Sequence, residues 1–515
     1  MKLLKLTACA FALFVAGCGG TDSNQNDAAE NGAASAATST ETETRPPNFV
    51  ILIGDDMGVE TLPCYPVGSQ TATTPTLDNL CADGMRFDNF WAQPVCSPTR
   101  ATILTGQYGF RNGVTVPTVP PNIEYRLQEL PAGSPAEFGT PPGRDAPATG
   151  TGVRIDPPGP DSAVDRSRPG LPADKVTLAQ ALKSDGDVRY QTAAVGKWHL
   201  ADGNNGEMDH PQLAGFDYYA GGFRAGGVES YFSWSKVVNG EMTDGQTGYA
   251  TSDTVDDALG WLDARDPDRP WLLWVAFNAP HTPIGKPPST LLSDATNAKL
   301  ENAREGRNSL PVYHAMIEAM DTEIGRLLEN LPADERDNTY IVFLGDNGTD
   351  TQLVTAPFES GRAKGSVYQG GVAVPLIVTG PGIPAGSTTP ALANSVDLFA
   401  TVLDLAGTAP DPRLEAVTLD AVSLQPVFED QTTAVRDFAF VDVRGRASGG
   451  PRNERAIRNL RYKLYVSDQT NTIEFYDLEN DPGENNDLLQ GELDADAQAN
   501  YDELQAQLTA LLEGA

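Results

Sequence analysis

Apolar and polar positions along the chain follow two repeating patterns. Short, mainly apolar runs are typical of strands buried on both faces of a sheet. They are residues 48–53, 190–195, 270–277, 340–344 and 375–379, with residues 85–91 as a further extended segment. Helices are predicted for residues 77–84, 99–104, 176–183, 252–264 and 313–331. This alternation predicts an α/β fold with a large, mostly parallel sheet sandwiched by helices.

Two regions depart from this alternation. Residues 116–172 are dense in Pro and Gly and form a loop insertion, which we interpret as a lid, with disorder as the alternative. From residue 411 onward the pattern changes to short strands. A hairpin turning at Arg461, a strand over 474–478 and a helix over 495–512 predict a small antiparallel sheet with a terminal helix. We therefore expect a catalytic domain over 48–410 and a C-terminal subdomain over 411–515.

The N-terminus has the pattern of an export signal. Lysines precede an apolar run over residues 6–16, which is shorter than the roughly 20 residues that span a bilayer. We predict a signal peptide over 1–17, whose end resembles the bacterial lipobox, and lipidation of Cys18; ordinary cleavage is the alternative. We predict that the polar residues 18–47 form a disordered tether. The expected product is an exported bacterial lipoprotein, periplasmic or anchored at the outer membrane or cell surface.

The net charge limits the possible binding partners, and the cysteine count limits the possible disulfides. The chain has 36 Lys+Arg against 70 Asp+Glu and a formal net charge of −34. Such a surface repels nucleic acid and anionic membranes, so we expect no nucleic-acid partner and membrane contact only through the lipid anchor. Export and lipidation leave Cys64, Cys81 and Cys96, of which an oxidising compartment could pair the first two.

Polar residues follow four of the predicted strands directly. They are Asp55 and Asp56, Lys197 and His199, Asn278 and His281, and Asp346 and Asn347. Because ligands of an open α/β sheet bind at the carboxyl ends of its strands, we expect these residues at one edge.

The residue types at this edge predict a metal site with proton-transfer groups. Asp55, Asp56, Asp346 and Asn347 offer only oxygen ligands, which favour Ca²⁺, or Mg²⁺, over zinc. The first pair alone is more typical of a turn, and the second pair favours a metal. His199 and His281 are candidates for proton transfer, whereas His210 and His314 are interpreted as structural or rim residues.

The stretch PVCSPTRATILTG, residues 94–106, places a cysteine before a predicted helix. Ser97 is expected as the N-cap and Pro98 as the first helical residue. Cys96 then lies where free N–H groups and the helix dipole favour an anion, and Arg100 adds a guanidinium. A buried cysteine near a helix cap is the alternative.

These residues match a known family. Residues 96–106 resemble the C-x-P-x-R and A-x-x-x-T-G signature of the formylglycine-dependent (type I) sulfatases of the alkaline phosphatase superfamily. The resemblance covers residues 48–488. Further matching segments are GDDMG (54–58), TPTLD (74–78), GKWH (196–199), PHTP (280–283), GDNG (345–348), KGSVYQGG (364–371) and YDLENDPGE (476–484).

The resemblance implies a mechanism and a modification. It implies that a formylglycine-generating enzyme oxidises Cys96 to an aldehyde, formylglycine, whose hydrate is the nucleophile. The implied calcium ligands are Asp55, Asp56, Asp346, Asn347 and an oxygen of the modified Cys96. Arg100 and Lys197 would hold the hydrate, His199 would deprotonate its second hydroxyl, and His281 and Lys364 would face the sulfate and its leaving oxygen.

The implied activity is hydrolysis of a sulfated small molecule or glycan. Two alternatives remain: a phosphodiester or phosphonate hydrolase of the same superfamily, and a non-catalytic lipoprotein that binds sulfated glycans. Gln369 stands where a glutamate is common, and GKWHL continues with Ala201 and Asp202 instead of the usual Gly. These departures and the insertion leave the substrate open.

Overall fold

The apolar runs of the sequence form the central strands of a ten-stranded sheet in the computed structural model. The structure describes residues 45–118, 169–184, 186, 189–223, 227–306, 308–447 and 450–514. In spatial order the strands of this sheet are Ser387–Asn394 (β10), Met85–Trp91 (β2), Leu376–Thr379 (β9), Thr339–Gly345 (β8), Asn48–Gly54 (β1), Trp271–Ala276 (β7), Gln191–Gly196 (β3), Tyr218–Gly221 (β4), Ser233–Val238 (β5) and Glu241–Thr247 (β6).

The centre of the sheet is parallel and its margins are mixed. Strands β8, β1, β7, β3 and β4 pair in parallel, as do β10 and β2. Strand β9 is antiparallel to both of its neighbours, and β4, β5 and β6 form an antiparallel edge. The α/β class with a mostly parallel sheet is thus confirmed.

Helices cover both faces of the sheet, as the burial of β1 requires. Phe49, Ile51 and Ile53 of β1 pack into one apolar cluster, and Val50 and Leu52 into another on the opposite face. The helices of the described residues are Pro75–Asp83 (α1), Cys96–Thr105 (α2), Gly109–Asn112 (α3), Leu178–Ala181 (α4), His210–Leu213 (α5), Ala250–Ala264 (α6), Asp294–Leu300 (α7), Leu310–Glu329 (α8), Gln369–Val372 (α9), Asp397–Ala406 (α10), Gln425–Glu429 (α11) and Ala495–Glu513 (α12).

The helix predicted over residues 176–183 is wrong in length. Only α4 is helical, and Thr177 caps it with a capping box that includes Gln180. The chain then leaves the helix because Lys183 N–H and Ser184 N–H bond three residues back, to Gln180 and Ala181, in a turn.

The predicted antiparallel C-terminal sheet and terminal helix are confirmed. Strands Ala439–Ala447 (β11), Gly450–Arg458 (β12), Tyr462–Ser467 (β13) and Thr472–Asp477 (β14) pair in that order. Leu504 and Leu508 of α12 pack against this sheet. A further apolar cluster joins Val441 of β11 to Trp91 of β2, and β11 also contacts the edge strand β10, so the second sheet lies against this end of the first. The boundary predicted at residue 410 stays a prediction.

A disulfide joins Cys64 to Cys81, and Cys96 is the free cysteine of the described part of the chain. Of the predicted insertion 116–172, residues 119–168 lie outside the described residues, as do the predicted signal peptide and nearly all of the tether. Among the described residues, no helix has both the length and the apolar content to cross a membrane.

Candidate active site

Four adjacent parallel strands, β8, β1, β7 and β3, bring the predicted residues to one edge. Gly54 is level with Gly345, so Asp55 and Asp346 leave neighbouring strands at the same height. Asp346 N–H donates to Gly54 O at 3.0 Å, and Lys197 N–H donates to Ala276 O at 2.7 Å. These bonds extend the ladder past the strand ends, which confirms the expected grouping at the carboxyl edge.

Helix α2 begins at Cys96, so the predicted N-cap is wrong. The Ser97 hydroxyl donates to His199 O at 2.7 Å and accepts from Thr118 N–H at 3.0 Å, which leaves it bonded to another segment and not to the helix end. Pro98 is the third helical residue, still within the first turn, where a missing N–H removes no helical bond. Cys96 nevertheless lies at the helix N-terminus, as predicted.

The Cys96 thiol is buried among charged groups. Its Sγ lies 3.3 Å from Asp55 Oδ1, 3.9 Å from Asp56 Oδ1 and 3.5 Å from Lys197 Nζ. Burial, followed by the charges of Asp346 and Asp55, raises the pKa of this thiol well above its ordinary value. These surroundings disfavour the thiolate form of an unmodified Cys96.

Three buried carboxylates each have a close cationic partner, and Arg100 also lies 3.9 Å from Asp55 Oδ2. The pairs are Lys197 with Asp55 (2.5 Å), Lys364 with Asp56, and Arg100 with Asp346 (2.8 Å). Removing any one member would leave a buried charge without its partner, which is strongly destabilising.

The pKa values of Asp346 and Asp56 are shifted in opposite directions. Burial and the Asp55 charge raise the pKa of Asp346 to about 6 in spite of Arg100. Burial would also raise the pKa of Asp56, but the charge of Lys364 outweighs it and brings that pKa below its usual range.

The arrangement offers ligands for a cation. One ligand atom each from Asp55, Asp56, Cys96 and His281 lies within 4.8 Å of all the others. Asn347 Nδ2 donates to Asp56 Oδ1 at 2.9 Å, whereas Asn347 Oδ1 is buried without a hydrogen-bond partner. A buried carbonyl oxygen without a partner is rare and fits a cation ligand.

The two predicted proton-transfer histidines are both held neutral. His199 has a positive φ of 57°, its Nε2 lies 3.2 Å from Thr118 O, and its Nδ1 is buried without a partner. Burial and the Lys197 charge lower the pKa of His199 well below its ordinary value. His281 Nδ1 lies 2.6 Å from Thr282 O, and burial lowers the pKa of His281 to about 3. These contacts assign the free lone pairs to Nδ1 of His199 and Nε2 of His281.

Other residues support the site without having been predicted. Tyr313 of α8 donates its hydroxyl to Asp56 O at 2.6 Å, and Thr99 of α2 donates to Asp346 O at 2.5 Å. Asn278, which follows β7 as predicted, also has a side-chain Oδ1 that is buried without a hydrogen-bond partner. The Tyr313 and Thr99 hydroxyls reach the site from helices on opposite faces of the sheet, so sequence spacing carries no signal for them.

The remaining histidines lie outside the charged cluster. His210 is buried behind the site and accepts a hydrogen bond from Trp198 Nε1 at 2.9 Å. His314 lies on α8 beside the Tyr313 ring. Neither ring has a hydrogen bond or an ion pair to the carboxylates of the site among the described contacts.

Comparison with known proteins identifies the family. Residues 47–408 match the family model described as Sulfatase. This chain belongs to the sulfatase family. A second model, N-sulphoglucosamine sulphohydrolase, C-terminal, matches residues 363–514. The protein is a sulfuric ester hydrolase.

Relatives of this sulfatase resemble it over most of its length. Arylsulfatase A of Homo sapiens is 28% identical over 503 residues, covering 87% of this chain and 84% of the human protein. The crystal structure of Ps i-CgsB in complex with k-i-k-neocarrahexaose shares the fold with a TM-score of 0.68, 24% identity, and coverage of 91% and 92% of the two chains. The structure of BT4656 in complex with its substrate D-Glucosamine-2-N, 6-O-disulfate also shares the fold, with a TM-score of 0.63 and 23% identity. The match covers 91% of this chain and 97% of BT4656.

Proposed function

We propose that this sulfatase hydrolyses the sulfate ester of a sulfated small molecule or glycan through a formylglycine at position 96. The observation that carries this proposal is the buried Cys96 at the first residue of α2, surrounded by three carboxylate–cation pairs. The raised pKa of its thiol argues against a thiolate nucleophile. Oxidation of Cys96 by a formylglycine-generating enzyme would replace the thiol with an aldehyde. The hydrate of this aldehyde supplies a hydroxyl nucleophile, so no thiolate is required.

The modified residue would be held by Arg100 and Lys197. As an aldehyde hydrate, formylglycine supplies a hydroxyl nucleophile and a second hydroxyl whose deprotonation lets sulfate leave. Lys197 Nζ already lies 3.5 Å from the Cys96 sulfur, and Arg100 Nη1 donates to Lys197 O at 2.7 Å, which fixes the lysine backbone. A serine at this position has no second hydroxyl, so we expect Cys96→Ser to take up sulfate once and not release it.

The oxygen ligands would hold Ca²⁺, with Mg²⁺ as the alternative. Asp55, Asp56, Asp346 and Asn347 would bind the ion together with an oxygen of modified residue 96. The unpartnered Asn347 Oδ1 and the grouping of ligand atoms of Asp55, Asp56 and Cys96 within 4.8 Å support this set. When bound, the ion supplies positive charge that stabilises anionic oxygens. Elemental analysis for Ca²⁺ and Mg²⁺ in the purified protein and in Asn347→Ala tests this ligand set.

The remaining residues would bind sulfate and move protons. Lys364 and His281 both lie beside Asp56, where they would face the sulfate and the leaving oxygen. His199 keeps a free lone pair on Nδ1, so it is the base that would accept the proton of the second hydroxyl.

One experiment tests the activity and the modification together. The protein is coexpressed with a formylglycine-generating enzyme, and the mass of the peptide containing Cys96 is measured. Rates on 4-nitrophenyl sulfate, phosphate and phosphonate esters are compared, with Cys96→Ala as the control. We expect the aldehyde mass and preferential sulfate cleavage. An intact thiol with no sulfate ester cleaved would contradict the proposal, and faster phosphoester cleavage would favour the superfamily alternative.

We also propose that the protein is exported and lipidated at Cys18, and so reaches a membrane only through its anchor. The signal-like residues 1–17 and the net charge of −34, which repels anionic lipid, support this. Fractionation of the native host should place the protein in the membrane fraction. Cys18→Ala should move it to the soluble fraction, and equal partition of the two would refute lipidation.

A further inference from the structure

A fully buried ion pair lies outside the charged cluster of the active site. Lys463 of β13 and Glu484, which follows β14, are 0% and 1% exposed, with Nζ and Oε1 2.5 Å apart. Burying two charges costs desolvation free energy that their attraction only partly offsets. The other bonds of this pair therefore matter for its role.

Those bonds reach the segment that carries Lys364. Glu484 Oε2 accepts from Gln369 N–H at 2.5 Å, and Lys463 Nζ donates to Val367 O at 2.7 Å. On the other side of Lys364, the Arg362 guanidinium donates to the backbone carbonyl of Glu484. The ion pair and the Glu484 backbone thus hold the chain both before and after Lys364.

Few other contacts fix the backbone of Lys364. Its N–H donates to Thr349 O at 3.1 Å, and Gly365 N–H donates to Pro94 O at 2.8 Å. Lys364 lies in neither a strand nor a helix, and Gly365 has a positive φ of 85°. Because a lysine side chain is long and flexible, the position of its ammonium depends on where the backbone is held.

Aromatic rings enclose the pair. Lys463 Nζ lies 5.1 Å from the centre of the Trp91 ring and 5.5 Å from that of Tyr368. Trp91 Nε1 also donates to Gln369 Oε1 at 2.6 Å, so the rings are tied to the same segment. A Lys463 without its carboxylate would be a buried, uncompensated charge, and the segment would have to shift to hydrate it.

We propose that Glu484 and Lys463 are positioning residues, through which the C-terminal sheet places the Lys364 ammonium against Asp56. The inference rests on the proposed role of Lys364 in binding the sulfate group.

A double-mutant cycle tests the proposal on the modified enzyme. Glu484→Gln keeps the shape of the side chain but removes its charge, and Lys364→Ala removes the positioned ammonium. Misplacing a catalytic group by about 1 Å can cost 10²-fold, so we expect Glu484→Gln to lower kcat on 4-nitrophenyl sulfate by about 10- to 100-fold. In the Lys364→Ala background the same change should have no further effect on kcat.

Binding of inorganic sulfate, measured by calorimetry, repeats the cycle for variants whose turnover is too slow to measure. Asp397→Asn is the matched control, because Asp397 is a fully buried carboxylate paired with Arg436 that has no described contact with residues 362–371. It should lower stability and leave kcat unchanged. If Glu484→Gln does not unfold cooperatively, the double change Lys463→Met with Glu484→Gln, which removes both charges, replaces it.

The outcomes separate the two proposals. If Lys364→Ala retains full activity and sulfate affinity, the proposed role of Lys364 is wrong. If Lys364→Ala is impaired but Glu484→Gln lowers kcat or sulfate affinity by the same factor in both backgrounds, Glu484 acts independently of Lys364 and the positioning role is refuted. An unchanged kcat and sulfate affinity in folded Glu484→Gln also refutes it.

Discussion

Acidification should destabilise this sulfatase through His210, a buried residue outside the charged cluster of the active site. Trp198 Nε1–H donates to His210 Nδ1 at 2.9 Å, and His210 Nε2 lies 2.8 Å from Leu171 O, to which it donates. The ring is therefore neutral, since protonation would place an N–H at Nδ1 against the Trp198 N–H. Burial is the largest cause that lowers the pKa of His210, to about 4. The same contact fixes the segment between Lys197 and His199.

The sign and size follow from proton binding. An unfolded histidine has a pKa of about 6.5, so below that pH the unfolded chain binds a proton that folded His210 refuses. The stabilisation is fully present above pH 6.5 and is lost as the pH falls toward the folded pKa of about 4. At about 1.4 kcal/mol per pH unit, the loss reaches about 2 kcal/mol near pH 5 and about 3 kcal/mol near pH 4.

Urea unfolding of the wild type and of His210→Gln at about pH 7 and about pH 5 measures this loss. The lowered pKa values of His199, His281 and His314 act in the same direction, and raised carboxyl pKa values such as that of Asp442 act oppositely. The difference between the two proteins therefore isolates His210. We expect the wild type to lose about 2 kcal/mol more than the variant over this range. An equal loss in both would refute the reasoning.

Four further changes have expected outcomes. Replacing Cys64 and Cys81 by alanine opens a loop with a sequence separation of 17 and should lower the free energy of unfolding by about 3 kcal/mol, measured in urea, with kcat unchanged. Leu504→Ala, at a fully buried position of α12, should cost about 2–5 kcal/mol in the same assay. Tyr313→Phe removes the hydroxyl that bonds Asp56 O and should cost about 1 kcal/mol and lower kcat. Chelating divalent cations should weaken the binding of inorganic sulfate in calorimetry; unchanged affinity would contradict the metal proposal.

The sequence predicted the central strands because their apolar runs are continuous. Strand β1 is buried on both faces, so its five positions from Phe49 to Ile53 are all apolar, a pattern typical of a fully buried strand. The edge strands lack this constraint. Strand β10 has exposed positions and includes Pro390, and β5 and β6 mix polar and apolar residues, so none of the three was predicted.

The hairpin formed by β5 and β6 does have a local sequence signal. Asn239 and Gly240 lie between β5 and β6 with positive φ values of 48° and 85°. An Asn-Gly pair between two short strands is the strongest local signal for a hairpin, because both residues accept a left-handed backbone. The mixed polarity of β5 and β6 gives no strand pattern, whereas the Asn239-Gly240 pair between them indicates a hairpin.

The site divides in the same way. Asp55, Asp346 and Lys197 were predictable because each follows a strand of a parallel sheet, and topology then places them together. The hydrogen bonds of Ser97 could not be predicted in this way. They join Ser97 to His199 and Thr118, which come next to it only in the folded chain. Local capping rules failed here because a tertiary contact occupied the hydroxyl.

Charge balance explains why a protein of net charge −34 needs more than its lysines to bind a sulfate ester. The three cations of the site are each paired with a buried carboxylate, so these six groups cancel and provide no local excess of positive charge. Adding an anion to such a cluster is unfavourable unless another cation enters. Calcium and sulfate should therefore raise each other's affinity, as linkage requires. On the proposed mechanism, the carboxylates would bind a divalent cation, and the positive charge of that cation would attract the sulfate ester.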